Sequence, residues 1–129
     1  MKTSAIAVAV LLLANASSAQ QPQGVLCIAP LPSDWSTSAP NLACPSGNLS
    51  LQIDTRKREG WPKKDSVKIA PLDATNPHRI VISCDGRPQQ SFSFRFAELK
   101  TNDLCLFIND LYKTAQLWET PKAPWCRCK

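Results

Sequence analysis

Six cysteines constrain the fold of this chain more than any other feature of its sequence. An even number of cysteines in a short exported chain is typical of a disulfide framework, but the spacing alone does not give the connectivity. Proximity in an irregular segment favours a Cys27–Cys44 bond, and two cysteines so close to the C-terminus are expected to reach back across the domain. We therefore predict pairing of Cys126 and Cys128 with Cys84 and Cys105.

The first 19 residues indicate export. Lys2 precedes a short apolar run over residues 5–14 and the small residues Ser17-Ser18-Ala19, which is the layout of a cleavable signal peptide. The run is too short to span a bilayer, and no later apolar stretch is long enough. We therefore expect a secreted or periplasmic chain that begins at Gln20, carries no membrane span and is monomeric.

Proline divides the rest of the chain into two parts. Residues 20–48 contain five prolines among many serines, which predicts an irregular arm with neither a long helix nor a central strand. Residues 49–129 carry the β-rich pattern described below. Removing 19 residues from 129 leaves 110, enough for one domain with a hydrophobic core. The predicted organisation is a signal peptide (1–19), a stapled arm (20–48) and a β-rich domain (49–129).

Four segments of the β-rich part have the composition of strands. Residues 49–54 and 66–69 alternate between apolar and polar side chains. Residues 78–84 are β-branched and apolar, and residues 91–96 place three phenylalanines on a single side. Asp85-Gly86 lies between the last two and suits the positive backbone angles of a tight hairpin turn. We therefore predict a β-hairpin over residues 78–96.

Residues 102–119 fit two structures. Their apolar residues recur with a helical spacing, which would place an amphipathic helix on the sheet. The same segment is also compatible with two strands joined by a turn at Asn109-Asp110. A turn suits these two residues better than a helix, because Asn and Asp are weak helix formers. We favour the hairpin, because the preceding segments are strands. The predicted fold is a small, mainly β, disulfide-stapled sandwich with an irregular N-terminal arm, and the alternative is an α+β domain.

Residues 47–96 resemble two groups of small β-sandwich modules. The features that carry the resemblance are the strand Leu51-Gln52-Ile53-Asp54, the loop with Trp61-Pro62, the segment Ile69-Ala70-Pro71-Leu72 and the strand from His78 that ends at Asp85-Gly86. These features resemble the bacterial modules called PEGA domains and, more loosely, transthyretin-like sandwiches. The resemblance implies an accessory binding or spacer domain rather than an enzyme, and it implies no functional residues.

Residues that could carry chemistry are few. His78 is the one histidine, and a strand-edge role explains it better than a catalytic one. Cys126 and Cys128 could ligate zinc together with Cys84 or Cys105, but export favours disulfides, so we predict no metal and no cofactor. The ten carboxylates could supply a hydrolase pair, but nothing in the sequence selects one pair. We therefore predict that the chain is not an enzyme.

A basic segment between two predicted strands is the strongest surface signal. It contains Arg56, Lys57, Arg58, Trp61, Lys63 and Lys64. In a loop, these cations could hold an anionic polymer while the tryptophan stacks on a sugar or base. A solvated connecting loop with Trp61 folded onto the core edge is the alternative. Trp35, Trp118 and Trp125 offer further aromatic surface, and Asn48-Leu49-Ser50 is a glycosylation sequon in a eukaryotic host.

These observations predict an exported, non-catalytic binding module. Its partner would be an extracellular or periplasmic protein or polysaccharide, reached through the basic segment. The net charge without the signal peptide is +4, since Lys2 leaves 14 basic residues against 10 acidic ones, and this mild excess does not indicate a nucleic-acid partner. The alternatives are a small secreted enzyme or enzyme inhibitor, and a secreted effector or toxin.

Overall fold

A computed structural model describes residues 22–32, 44–109, 111–112, 114–126 and 128. The predicted signal peptide and residues 20–21 and 33–43 of the predicted arm, which include Trp35, lie outside the described residues. The strands are β1 (Gln23–Ile28), β2 (Leu49–Ile53), β3 (Arg56–Glu59), β4 (Val67–Asp73), β5 (His78–Cys84), β6 (Arg87–Phe94), β7 (Asp103–Asn109) and β8 (Thr114–Glu119). Two short 3₁₀ turns, Phe96–Glu98 and Thr120–Lys122, complete the regular structure. Within the described ranges, no helix is long and apolar enough to cross a membrane.

The strands form two four-stranded sheets. The first sheet has the order β4-β1-β7-β8 and the second has the order β3-β2-β5-β6. All neighbouring pairs are antiparallel except β1 and β7, which are parallel. Alternate residues of both sheets pack into one core, which includes Leu26, Leu51, Ile80 and Leu106. The predicted mainly β, disulfide-stapled sandwich is therefore confirmed.

Both predicted hairpins are present. β5 and β6 are joined by Asp85 and Gly86, whose φ angles are 51° and 82°. This left-handed conformation suits aspartate and glycine better than most residues. β7 pairs with β8 from Leu104 opposite Glu119 to Asn109 opposite Thr114. The amphipathic helix considered for residues 102–119 is therefore wrong, because the apolar residues that gave it a helical spacing are divided between two strands.

The first strand lies in the segment for which we predicted an irregular, proline-rich arm. Residues 23–28 form β1, which lies inside the first sheet between β4 and β7. The expectation that residues 20–48 exclude a central strand is thus wrong for this stretch. Pro22 and Pro30 flank β1 without interrupting it, so every residue from Gln23 to Ile28 keeps its backbone N–H for the ladder.

A second strand lies where we predicted only a loop. Residues 56–59 form β3, the edge strand beside β2, so the basic segment begins as a strand and continues as a loop. Its charged side chains suit an edge strand, because charges discourage pairing with a further chain.

The disulfides are Cys27–Cys128, Cys44–Cys84 and Cys105–Cys126. Of the predicted bonds, Cys105–Cys126 is confirmed as one of the pairings considered for the tail. The predicted Cys27–Cys44 bond is wrong, and so is a bond from the tail to Cys84. Cys27 lies on the outer side of the first sheet, where the tail passes, whereas Cys44 lies in the main core beside the end of β5.

Candidate functional site

The C-terminal tail is fastened across the outer surface of the first sheet. Cys27 and Cys105 are register partners on the neighbouring strands β1 and β7. Each bonds to the tail, Cys27 to Cys128 and Cys105 to Cys126. These sulfurs, together with Ala29, Phe107 and Ala123, form a second small core outside the sandwich. The tail is therefore held against this surface at two points.

Three aromatic rings meet on that surface. Phe107 of β7 is 5% exposed and supports two tryptophans, Trp118 of β8 and Trp125 of the tail. The Phe107 ring centroid lies 5.1 Å from that of Trp118 and 4.9 Å from that of Trp125. The interplanar angles are 82° and 88°, so both contacts are edge-to-face, a favourable arrangement of aromatic rings. The phenylalanine thereby fixes the positions of both indoles.

Both indoles remain accessible. Trp118 is 40% exposed and Trp125 is 60% exposed, although tryptophan is highly buried on average. Neither indole N–H donates a hydrogen bond to any described residue. By contrast, Trp61 is buried and its Nε1 donates to the Ala29 carbonyl oxygen at 2.9 Å. Among the described residues, the surface pair therefore offers unpaired N–H donors as well as apolar rings.

Two amide side chains border the rings. Gln116 lies opposite Phe107 in the β7–β8 pairing, so its side chain shares the outer surface with that ring. Asn109 donates from Nδ2 to Gln116 Oε1 at 3.2 Å, and its Oδ1 accepts the N–H groups of Leu111 and Tyr112. The Gln116 amide nitrogen has no partner among the described residues. We call Phe107, Asn109, Gln116, Trp118 and Trp125 the aromatic face.

A concave region of about 460 Å³ adjoins the aromatic face. Its lining includes Pro30, Pro32, Leu111, Trp118 and Trp125. No described residue of the lining carries a charge. The arrangement can therefore stack on an uncharged ring and donate hydrogen bonds at its border.

The basic segment does not form one surface. Arg56 and Arg58 lie opposite Ile53 and Leu51, so they share the inner side of β2, while Lys57 lies on the outer side. Arg56 reaches the other sheet, where its Nη2 donates to the Pro71 carbonyl oxygen at 3.3 Å. Strand alternation thus separates the cations that the sequence placed together.

The position of Trp61 also differs from the exposed position that the binding hypothesis requires. It is 4% exposed and its indole N–H is used by Ala29, so it has no free face for stacking on a ligand. Lys57, Lys63 and Lys64 are exposed, and Lys57 Nζ lies 3.3 Å from Glu59 Oε1. Trp61 therefore presents no exposed ring to a ligand in this structure, and it folds onto the core edge, which is the alternative considered for it.

His78 is held at both ring nitrogens. Nδ1 lies 2.6 Å from Asp54 Oδ2, and Nε2 faces the Asp73 carbonyl oxygen. Burial alone would lower the pKa of His78, but the hydrogen bonds to Asp73 and Asp54 outweigh it and raise the pKa above 6.5. A general base needs a free nitrogen near its substrate. His78 has none, so the structure supports the structural role expected for it.

The best-connected carboxylates also have structural partners. Burial by itself would raise the pKa of Asp54, but hydrogen bonds from His78 and from the Arg79 N–H lower it. The Thr75 hydroxyl, with the N–H groups of Thr75 and Asn76, lowers the pKa of Asp73. Asp85 accepts from Ser46 Oγ and from the Asn48 amide. These carboxylates therefore stabilise turns, and Asp85 also borders a concave region with Glu59.

No group of three metal-ligating side chains occurs in the part of the chain that the structure describes. Cys84, Cys105, Cys126 and Cys128, considered above as zinc ligands, all belong to disulfides. Comparison with protein-family models, with curated proteins and with solved structures finds no match to this chain.

The sequence pointed to only part of the aromatic face. It singled out Trp118 and Trp125 as candidate platforms, but not Phe107, Asn109 or Gln116. Alternation along β7 could have found them, because Cys105, Phe107 and Asn109 share one side of that strand once the hairpin is accepted.

Proposed function

We propose that this chain is an exported, non-catalytic binding module whose contact surface is the aromatic face. The observation that carries the proposal is the pair of exposed indoles, Trp118 and Trp125, both fixed on Phe107 with their N–H groups unpaired among the described residues. Exposed aromatic surface is unfavourable in water and often marks an interaction site. The predicted signal peptide at residues 1–19 and the three disulfides support export.

Rigidity makes this surface suited to binding. Trp125 lies in a tail of little regular structure, yet the adjacent Cys126 is bonded to Cys105 and Cys128 is bonded to Cys27. Trp118 lies within the β8 ladder. A surface that is already ordered loses less conformational entropy when a ligand binds. The disulfides that fasten the tail thus also organise the contact surface.

The surroundings of the titratable groups support a non-catalytic role. His78 is enclosed by Asp54 and Asp73, and Asp85 is engaged by Ser46 and Asn48. An accessory role of this kind is also what the resemblance of residues 47–96 to PEGA-like and transthyretin-like modules implies.

A second candidate surface uses the exposed lysines of the basic segment. Lys57 and Lys63 border a concave region of about 540 Å³, and Lys64 follows in the chain. These charges favour contact with an anionic polymer. Glu59 and Asp85 border the same region and reduce its positive charge. The aromatic face is therefore our first choice.

Two matched variants separate these surfaces. Trp118→Ala/Trp125→Ala removes the indoles, and Lys57→Gln/Lys63→Gln/Lys64→Gln removes the charges. Both proteins and the wild type are tested on immobilised neutral polysaccharides, anionic polysaccharides and extracellular matrix proteins, after thermal melting confirms folding. We expect loss of binding in the tryptophan variant and unchanged binding in the lysine variant. The reverse result would favour the lysine surface, and binding that survives both changes would contradict both proposals.

A further inference from the structure

We propose that the ligand of the aromatic face is a neutral sugar chain, bound by stacking on Trp118 and Trp125 with Gln116 and Asn109 at its hydroxyl groups. This inference rests on the proposed function and adds the chemical class of the ligand. It follows from three properties of the face: the spacing of its rings, the type of its polar groups and the lack of charge in its described lining.

The two indoles lie close enough together to contact one sugar chain. The centroids of Trp118 and Trp125 lie 5.1 and 4.9 Å from that of Phe107, so they are at most 10.0 Å apart, the sum of those distances. That span is covered by one or two pyranose rings. The flat side of a pyranose presents C–H groups, which pack on the electron-rich face of an indole. Because Phe107 holds both indoles, the platform exists before the ligand arrives.

The polar groups match sugar hydroxyls. A hydroxyl both donates and accepts, so it pairs with uncharged amides and with N–H groups. The face supplies two indole N–H groups and the Gln116 amide nitrogen, none of which has a partner among the described residues. Asn109 holds the Gln116 oxygen at 3.2 Å and so orients the amide. Stacking and hydrogen bonding are therefore available on the same side of the β7–β8 hairpin.

The described residues that line the concavity favour a neutral chain over an anionic one. No described residue lining the 460 Å³ concavity is ionised, whereas the concavity of the second sheet has Lys57, Glu59, Lys63 and Asp85 at its border. A uronate or phosphate buried against Trp118 and Trp125 would lose hydration without gaining a cation from the described lining. An acyl chain fits less well, because it would cover the free indole and amide donors without satisfying them.

The test measures binding of defined hexasaccharides to the wild-type protein in solution. The probes are neutral β-1,4-glucan, β-1,3-glucan, xylan, mannan and chitin hexamers, with a polygalacturonate hexamer as the anionic comparison. Quenching of tryptophan fluorescence and isothermal titration calorimetry report binding. We expect at least one neutral hexamer to bind and the uronate hexamer to bind at least tenfold more weakly, with an affinity independent of salt.

Single substitutions then assign the contacts. Trp118→Ala or Trp125→Ala should weaken binding about tenfold, and both together should abolish it. Trp118→Phe and Trp125→Phe keep a ring without the N–H and should retain part of the affinity. Gln116→Ala should weaken binding severalfold without changing the melting temperature. Trp61→Phe, a change at the buried tryptophan, is the matched control and should leave the affinity unchanged.

The outcomes distinguish this inference from the function on which it rests. If no neutral hexamer binds, but the tryptophan double variant loses binding to a protein or an anionic polymer, the aromatic face is a contact surface and the sugar assignment is wrong. If the wild type binds no partner through Trp118 and Trp125, both proposals fail. Preference for the uronate hexamer would also overturn the sugar assignment as stated.

Discussion

His78 and Asp54 form a partly buried ion pair at one end of the second sheet, and His78 also contacts β4 of the first sheet. His78 Nδ1 lies 2.6 Å from Asp54 Oδ2, and His78 Nε2 faces the Asp73 carbonyl oxygen at the end of β4. Both partners are acceptors, so both ring nitrogens must carry a proton, and the imidazole is a cation. Its ring also packs against Phe94 and Phe96, with centroids 5.4 and 6.0 Å away.

This pair predicts that the protein is most stable in mildly acidic solution. The raised pKa of His78 contributes stability that is complete below the unfolded value of 6.5 and is lost as pH rises through the folded pKa. The lowered pKa of Asp54 contributes stability above 3.8 that is lost as pH falls through its folded pKa. Both contributions are therefore complete between pH 3.8 and 6.5. Urea unfolding from pH 4 to 9 measures the dependence.

Two variants identify the source of that pH dependence. His78→Gln should lower the free energy of unfolding at pH 5 by about 1.5–3 kcal/mol, the usual value for hydrogen bonds to charged groups. It should also remove most of the decline between pH 6.5 and 9. Asp54→Asn keeps a residue that tolerates the φ of 55° and removes the negative charge, so it should flatten the same curve. A wild-type curve that is flat from pH 5 to 9 would mean that folding does not change the pKa of His78, and stability that rises over this range would mean that His78 is neutral in the folded chain.

Trp61 is predicted to matter for stability and not for binding. Trp61→Phe deletes the donor to the Ala29 carbonyl oxygen and leaves that acceptor without its partner, which costs about 1–3 kcal/mol in a buried place. Trp125→Phe, at a 60% exposed ring, should change the free energy of unfolding by about 0.5 kcal/mol or less. Denaturant unfolding of both variants provides the comparison. Equal losses would mean that Trp61 is not buried as described.

The tail predicts a specific disulfide map. Peptide mapping without reduction should recover Cys27 with Cys128, Cys44 with Cys84, and Cys105 with Cys126. Cys105→Ser/Cys126→Ser should cost about 3 kcal/mol, as expected for a loop of some twenty residues. Cys128 still fastens the tail in that variant, so the fluorescence of Trp125 should change little. Recovery of a peptide joining Cys27 to Cys44 would contradict this arrangement.

Local sequence patterns predicted the hairpins but not the neighbours of each strand. The β5–β6 turn follows from Asp85-Gly86, whose backbone preference is local. By contrast, β1 was missed because flanking prolines suggested an irregular arm, although none interrupts residues 23–28. The bonds of Cys27 and Cys128 depend on β1 lying beside β7, a contact between residues nearly eighty positions apart that no local pattern encodes. Trp61 was misplaced for a similar reason, since its partner Ala29 lies in the missed region.

The sharpest test of the packing concerns Gly24 and Phe96. A Cβ added at Gly24 would lie 2.4 Å from Cε2 of the Phe96 ring, far inside a normal contact. Phe96 is 1% exposed and packs edge-to-face on Phe94 with centroids 5.2 Å apart, so the ring has little room to move. Gly24→Ala should therefore lower the free energy of unfolding by about 1–3 kcal/mol.

A double-mutant cycle shows whether that ring causes the loss. Phe96→Leu removes the ring atoms that meet the new methyl group, so Gly24→Ala should cost less in that background by about 1 kcal/mol or more. Gly47→Ala is the control, because no atom lies within 4 Å of its added Cβ and its φ of 76° imposes backbone strain alone. Its cost should be the same with phenylalanine or leucine at position 96. Equal costs of Gly24→Ala in both backgrounds would mean that β1 does not pass beneath Phe96.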